Sequence, residues 1–176
     1  QPIERKIDVY VVGFRDWRFC HQKYIETEIA VNTIEMLLAS GIKEIEVGAS
    51  VNYEKFPFMS NSYEILVELR KKQAKGMFSI YTSPFEKHYP KDKIEKLIRE
   101  GKLKNEDRQF AMPDEISVSI SASEERNKEI YHLFQDELIF GIKKIIDLAK
   151  KDSIKVRGYV SAAFVYKNKD DVVITN

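Results

Sequence analysis

Residues 9–19 read VYVVGFRDWRF, an apolar run through Val12 followed at once by the opposite charges of Arg15 and Asp16. Val9, Tyr10, Val11 and Val12 read as a buried strand. The pair at its end is either a solvated ion pair or two charges delivered to a site. As residue types, a guanidinium suits developing oxyanion charge and a carboxylate oxygen suits a hard cation. Glu46 stands in the next apolar run, EIEVGAS at 44–50. Cys20 and His21 follow the Arg-Asp pair, but their adjacent spacing is poor for shared metal ligation, so they read as loop residues. His88 and His132 read as exposed.

The elements that must position these residues recur in regular order. Strand-like runs lie at 6–14, 44–50, 77–83, 115–123 and 156–166, rich in Val, Ile, Tyr and Phe and bounded by Gly, Ser or Pro. Between them lie stretches of helical period. Glu26 to Ser40 stripes Ile29, Thr33, Met36 and Leu37 and stops at Gly41. Ser60 or Asn61 caps a helix through Ile65, Leu66 and Leu69 that ends near Gly76. Lys91 to Glu100 is closed by Gly101, and Leu133 to Lys150 buries Leu138, Ile142, Ile145, Ile146 and Leu148. This alternation predicts right-handed βαβ units on a parallel sheet. No low-complexity linker divides residues 1–176, so they read as one domain, with an insertion within 84–113 that ends in QFAMPDE.

Composition narrows the function classes. The 176 residues carry Lys+Arg 29 against Asp+Glu 28, a formal charge of +1, and lysine clusters such as KDKIEKLIREGKLK are interleaved with glutamate. That is a solvated helix face rather than a nucleic-acid footprint. One cysteine excludes an internal disulfide, and no run reaches the ~20 apolar residues of a membrane span. The start QPIERKIDVY has no apolar signal core, so the expected compartment is the cytoplasm or an organelle matrix.

An open doubly wound sheet and a closed (β/α)8 barrel both fit the alternation. A doubly wound nucleotide binder usually places a glycine-rich turn after its first strand, whereas GFRDWRF has one glycine. A barrel puts its chemistry at the C-terminal strand ends, where this sequence has Arg15-Asp16, Glu46 to Ser50, Thr82-Ser83, Ser121 to Glu124 and Ser161.

On those segments the chain resembles hydroxymethylglutaryl-CoA lyase and its relatives, the metal-dependent lyases and condensing enzymes built on a (β/α)8 barrel. The lyase opening Gly-Pro-Arg-Asp-Gly is matched by Gly13-Phe14-Arg15-Asp16-Trp17. A second segment aligns at Ile45-Glu46, Val51, Pro57 and Met59, and a third at SASEERNKE and IKVRGYVSAAF. The resemblance implies that Asp16 ligates Mg²⁺ or Mn²⁺ and that Arg15 polarises a substrate carbonyl and stabilises an enolate. It implies that Glu46 orients Arg15 or the metal shell, and that Tyr159, Ser161 and Ser123 line the substrate pocket. The implied reaction is retro-aldol or retro-Claisen cleavage of an acyl-CoA or of an oxo or hydroxy acid. A condensing acyl-CoA synthase, a pyruvate carboxyltransferase relative and a catalytically inactive binding module are the alternatives.

The sequence also departs from the lyase pattern. Trp17 stands where the pattern has glycine, which would narrow the mouth or turn the loop, and Phe19 replaces a glutamine. Strand five runs on into AAFVYKNKDD, and no His-x-His pair occurs in the chain. A full barrel needs roughly 250 residues. Five strands are therefore expected to form the N-terminal part of a barrel, its remainder coming from further residues or, through self-association as a homo-oligomer, from another chain. The expected partner is a small-molecule or acyl-CoA substrate, with no nucleic acid and no membrane.

Overall fold

The computed structural model describes residues 9–163. Five strands form one sheet in chain order: β1 (Tyr10–Val11), β2 (Glu44–Ser50), β3 (Met77–Thr82), β4 (Glu115–Ser121) and β5 (Lys155–Ser161). Every neighbouring pair is parallel. Parallel neighbours need long returns, which here are helical. α1 (Gly13–His21) and α2 (Thr27–Ala39) lead to β2, and α3 (Ser62–Lys71) leads to β3. α4 (Pro90–Arg99) and α5 (Arg108–Ala111) lead to β4, and α6 (Glu124–Tyr131) and α7 (Gln135–Lys151) lead to β5. The sheet curls into a half-barrel with the helices on its convex side, so the α/β partial-barrel expectation holds.

The convex face carries the apolar core. Ile45 and Val47 of β2 and Phe78 and Ile80 of β3 pack on Ala30, Val31 and Ile34 of α2 and on Ile65, Leu66 and Leu69 of α3. Ile116 and Val118 of β4 pack on Ile145 and Ala149 of α7. Fully burying a side chain of this size contributes roughly 1.5–3 kcal/mol, so these layers hold the helices on the sheet. In β2 the register with β3 steps between Glu46, paired with Ser79, and Gly48, paired with Ile80, which makes Val47 the extra residue of a β-bulge. Gly48 then faces α3 so closely that a Cβ there would lie 2.3 Å from Ser62 Oγ and 2.5 Å from Ser62 Cβ. Ser62 uses that approach, accepting from Ala49 N at 3.0 Å and donating to Met59 O at 2.6 Å.

Some expectations shift. The first strand is two residues long, and Val9 is exposed. Residues 13–21 form a helix rather than a loop, because Val12 already has helical dihedrals and its carbonyl accepts from Asp16 N at 3.0 Å. Residues 84–113 carry α4, α5 and two short 3₁₀ turns. α6, unmarked by any apolar period, is nucleated by Ser123, whose Oγ accepts from Arg126 N at 3.3 Å. The expected strand residues 6–8 and 164–166 lie outside the described residues.

Candidate active site

The concave face is polar, and its side chains stack in three layers. At the bottom, Arg157 of β5 donates from Nε to Glu115 Oε1 at 2.7 Å and from Nη2 to Glu44 Oε2 at 3.1 Å. The ring of Tyr10 lies 3.8 Å from its guanidinium carbon. The middle layer is built on Glu46, which has no solvent exposure. Its Oε1 accepts from Arg15 Nε at 2.5 Å. Its Oε2 accepts from Tyr10 Oη at 3.2 Å, from Tyr159 Oη at 3.4 Å and from Ser117 Oγ. Because Tyr10 spends its one proton on Glu46, the 2.6 Å bond between Tyr10 Oη and Ser79 Oγ has Ser79 as donor. Burial first, and the Glu46 charge second, push the Tyr10 phenol well above its ordinary value.

The top layer is a ring of hydroxyls. Tyr81, Ser119 and Tyr131 lie within 2.8–3.0 Å of one another, with Tyr131 reaching in from the end of α6. The Arg15 guanidinium rests between the layers, 5.0 Å from the Tyr81 ring centroid and 5.6 Å from that of Phe19. Burial alone would lower the Arg15 pKa. The charge and hydrogen bond of Glu46, with help from Asp16, outweigh it and hold the group above its ordinary value.

α1 aims Arg15, and Arg18 aims α1. Arg18 is fully buried, and its Nη2 donates to Phe58 O and, at 2.5 Å, to Asn61 Oδ1. Asn61 Nδ2 in turn donates to Ile25 O at 2.8 Å and to Thr27 Oγ1 at 3.1 Å, tying the start of α2 to the same loop. Burial lowers Arg18 to about 10, and its Nε and Nη1 have no partner among the described residues. Phe19 packs edge-on against Phe56 and Phe58, closing the top of the half-barrel on this side.

The structure thus brings Arg15, Asp16, Glu46 and Tyr159 together. Asp16 Oδ1 accepts from Arg15 Nη1, and its side chain stands half exposed at the rim. Ser123 and Ser161 sit apart from this network among the described hydrogen bonds. The Ser123 hydroxyl caps α6, and Ser161 is exposed, with its carbonyl accepting from Ala122 N at 2.9 Å. Trp17 is exposed and lies beside His21 on α1, ring centroids 4.7 Å apart. His88 is buried rather than exposed, because its Nδ1 bonds Ser83 Oγ and its carbonyl accepts from Ser50 Oγ at 2.5 Å.

No family model matches the sequence, and no curated protein matches it. Solved structures do. The Bacillus subtilis HMG-CoA lyase superposes with a TM-score of 0.75 at 20% identity, over 98% of this chain and 52% of that one. Its fold is that of half a hydroxymethylglutaryl-CoA lyase barrel. The Pseudomonas aeruginosa hydroxymethylglutaryl-CoA lyase gives 0.74 at 22% identity, over 96% of this chain and 50% of that one. An Acinetobacter baumannii HMG-CoA lyase, in complex with coenzyme A and 3-methylmalate, gives 0.69 at 15% identity, over 93% and 47%. The chain spans about half the length of the lyases it matches, as expected of the N-terminal part of such a barrel.

Hard divalent ions want several oxygen donors converging on one point. Among the described residues no group of three His, Cys, Asp or Glu does so. Asp16 shares its carboxylate with Arg15, and both oxygens of Glu46 are taken by four donors. These residues alone do not fit a metal centre. No helix among the described residues is long and apolar enough to cross a membrane.

Proposed function

We propose that this chain supplies the Arg15–Glu46 side of the active site of a carbon–carbon lyase acting on an acyl-CoA or on an oxo or hydroxy acid. The observation that carries the reading is the setting of Arg15 at the mouth of a half-barrel with the lyase fold. Its Nε is fixed by a buried carboxylate, its plane is supported by Tyr81, and its Nη2 makes no hydrogen bond among the described residues. Cleaving a bond one carbon away from a carbonyl leaves an electron pair that delocalises onto the carbonyl oxygen. A rigid guanidinium beside that oxygen stabilises the enolate without having to reorganise. Glu46 positions Arg15 and keeps it charged, and the phenols of Tyr10 and Tyr159 hold Glu46 in turn. Asp16, at the rim, is the one carboxylate here free to give an oxygen to Mg²⁺ or Mn²⁺, and the remaining donors of such an ion must come from outside the described residues. The coenzyme A and 3-methylmalate of the Acinetobacter baumannii complex support a thioester or a short hydroxy acid as the substrate class.

The test uses the full-length protein with Mg²⁺ or Mn²⁺ and a panel of 3-hydroxyacyl-CoA thioesters, beginning with hydroxymethylglutaryl-CoA. Release of a shorter acyl-CoA is followed by chromatography. Arg15→Lys should lower kcat by about 10²–10³, the usual cost of losing one oxyanion donor, with a much smaller change in KM. Turnover unchanged by Arg15→Lys, or no cleavage anywhere in the panel, refutes the reading and leaves a binding module on a lyase-like fold.

A further inference from the structure

A second site lies outside the barrel. The segments after β2 and β3 and the outer face of α4 enclose a cleft of about 720 Å³. None of Arg15, Glu46, Tyr81 or Tyr159 lines it, so it stands independently of the lyase reading. In its wall sits Lys93 of α4, only 5% exposed. Lysines nearby pair with carboxylates at the surface, as Lys102 does with Glu100 at 2.7 Å and Lys91 with Asp152 at 3.2 Å. Lys93 has no such partner among the described residues. Its Nζ donates to Val51 O at 2.7 Å and lies 3.8 Å from the centroid of the Tyr53 ring.

That arrangement holds an ammonium less well than water does and raises the share of free amine. One carbonyl takes one N–H, whereas an ammonium has three to place. Burial is the largest effect on the group, and the positive charges of Lys96 and Lys102 add to it. Glu100, Glu54 and the face of Tyr53 act the other way but do not balance it, and Lys93 comes down to about 8. His88, from the segment after β3, lines the same cleft as a neutral imidazole. Lysines stripped of solvent and of carboxylate partners are the ones that act as nucleophiles toward carbonyl compounds.

We propose that Lys93 is a carbonyl-capturing residue, whose amine in the wall of this cleft condenses with a small aldehyde or 2-oxo acid to form an imine. The Nζ lone pair attacks the carbonyl carbon and the oxygen takes a proton to give a carbinolamine. The hydroxyl then takes a second proton, drawn from solvent, and leaves as water while the nitrogen lone pair closes the C=N bond, and the nitrogen keeps its remaining proton as the iminium. His88 stands in the cleft to move the proton between nitrogen and oxygen. Lys87 and Lys96, in the same lining, offer positive charge to a substrate carboxylate.

The probe is glyoxylate with sodium cyanoborohydride, applied to the intact protein, with adducts located by peptide mass spectrometry. Lys104, whose side chain is 75% exposed, is the internal reference. At pH 7.5 a lysine titrating near 8 holds roughly two hundred times more free amine than an ordinary one near 10.4. Its weaker basicity takes back part of that, so Lys93 should label about tenfold faster or more. Its rate should level off above pH ~8 rather than climb toward pH 10. Lys93→Met, which keeps the volume, should abolish that adduct and leave Lys104 unchanged. Labelling of Lys93 no faster than Lys104, or a rate still climbing through pH 10, overturns the proposal on the wild-type protein alone.

Discussion

Glu46→Gln tests the central geometry, because it removes one charge while leaving the shape. In the wild type the carboxylate balances a guanidinium only 13% exposed and is itself wholly buried. Breaking a buried pair by removing one partner costs about 3–5 kcal/mol, since the other charge stays behind in a low-dielectric setting. Here Asp16 remains beside Arg15 but is half exposed, so its compensation is partial. Oε2 also accepts from three hydroxyls, and an amide NH₂ in its place would bring only two hydrogens, leaving one hydroxyl without its partner. The expected loss is about 2–4 kcal/mol. With a urea slope of about 1–3 kcal/mol per molar, the unfolding midpoint should fall by roughly 1–2 M at an unchanged slope. Arg15→Met strands the opposite charge. The double variant should therefore be milder than the sum of the two singles by about 1–3 kcal/mol. A midpoint shift within ~0.3 M for Glu46→Gln, or strict additivity in the cycle, would show that the pair is not the buried hub described here.

Further outcomes follow from other parts of the structure. Gly48→Ala places a Cβ against Ser62 and should cost about 2–3 kcal/mol by thermal unfolding. Adding Ser62→Ala should not restore it, because the Ser62 Cβ contact at 2.5 Å persists, and a neutral Gly48→Ala would contradict the close approach. Burial, then the charges of Lys93, Lys87 and Lys96, depress His88 to about 4 against 6.5 when free. The unfolded chain thus protonates first. The contribution of His88 is complete above pH ~6.5 and is lost as pH falls toward 4, with a slope below about 1.4 kcal/mol per pH unit. Urea midpoints measured from pH 7 to 4.5 should fall less steeply in His88→Gln, and parallel curves would rule out this origin.

Much of the convex architecture was legible from sequence, because apolar residues at strand and helix spacing have few ways to be buried together. Ile45, Phe78, Ile80 and Ile116 mark their strands, whereas the stripe expected for α2 marks the helix but the wrong face, since Ile29, Thr33 and Met36 are exposed and Ala30, Val31 and Ile34 are buried instead. Less legible was the local course of the chain around the site. In sequence the segment 13–21 reads as a strand end and a loop, since Arg15, Asp16 and Arg18 break any apolar stripe, yet it forms α1, held by Arg18 buried beneath the 57–61 segment. α6 carries almost no apolar residues and depends on a serine cap, a signal present in Ser123-Glu124-Glu125 but weak without knowledge of the neighbouring strand. The site partners Ser117 and Ser119 did leave a trace. EISVSIS alternates strictly, whereas strands buried on both faces of a parallel sheet usually run continuously apolar. That alternation announces a polar interior. Tyr10, Tyr81 and Tyr131 carry no comparable mark, because a tyrosine reads equally well as core.

The extra residue at Val47 changes the reading frame of a strand partway along its length. Before it, even-numbered positions look inward, and Glu44 and Glu46 meet Arg157 and Arg15. After it the parity flips. Gly48 turns out to meet Ser62, Ala49 turns in beside Tyr81, and Ser50 turns out to reach His88 O. Were β2 to run as a regular strand through Val47, a bare glycine would enter the pocket and Ala49 would press against the helices, with no amino acid altered. Chains that share this site should therefore keep the irregularity at this point of β2 while the side chains around it vary.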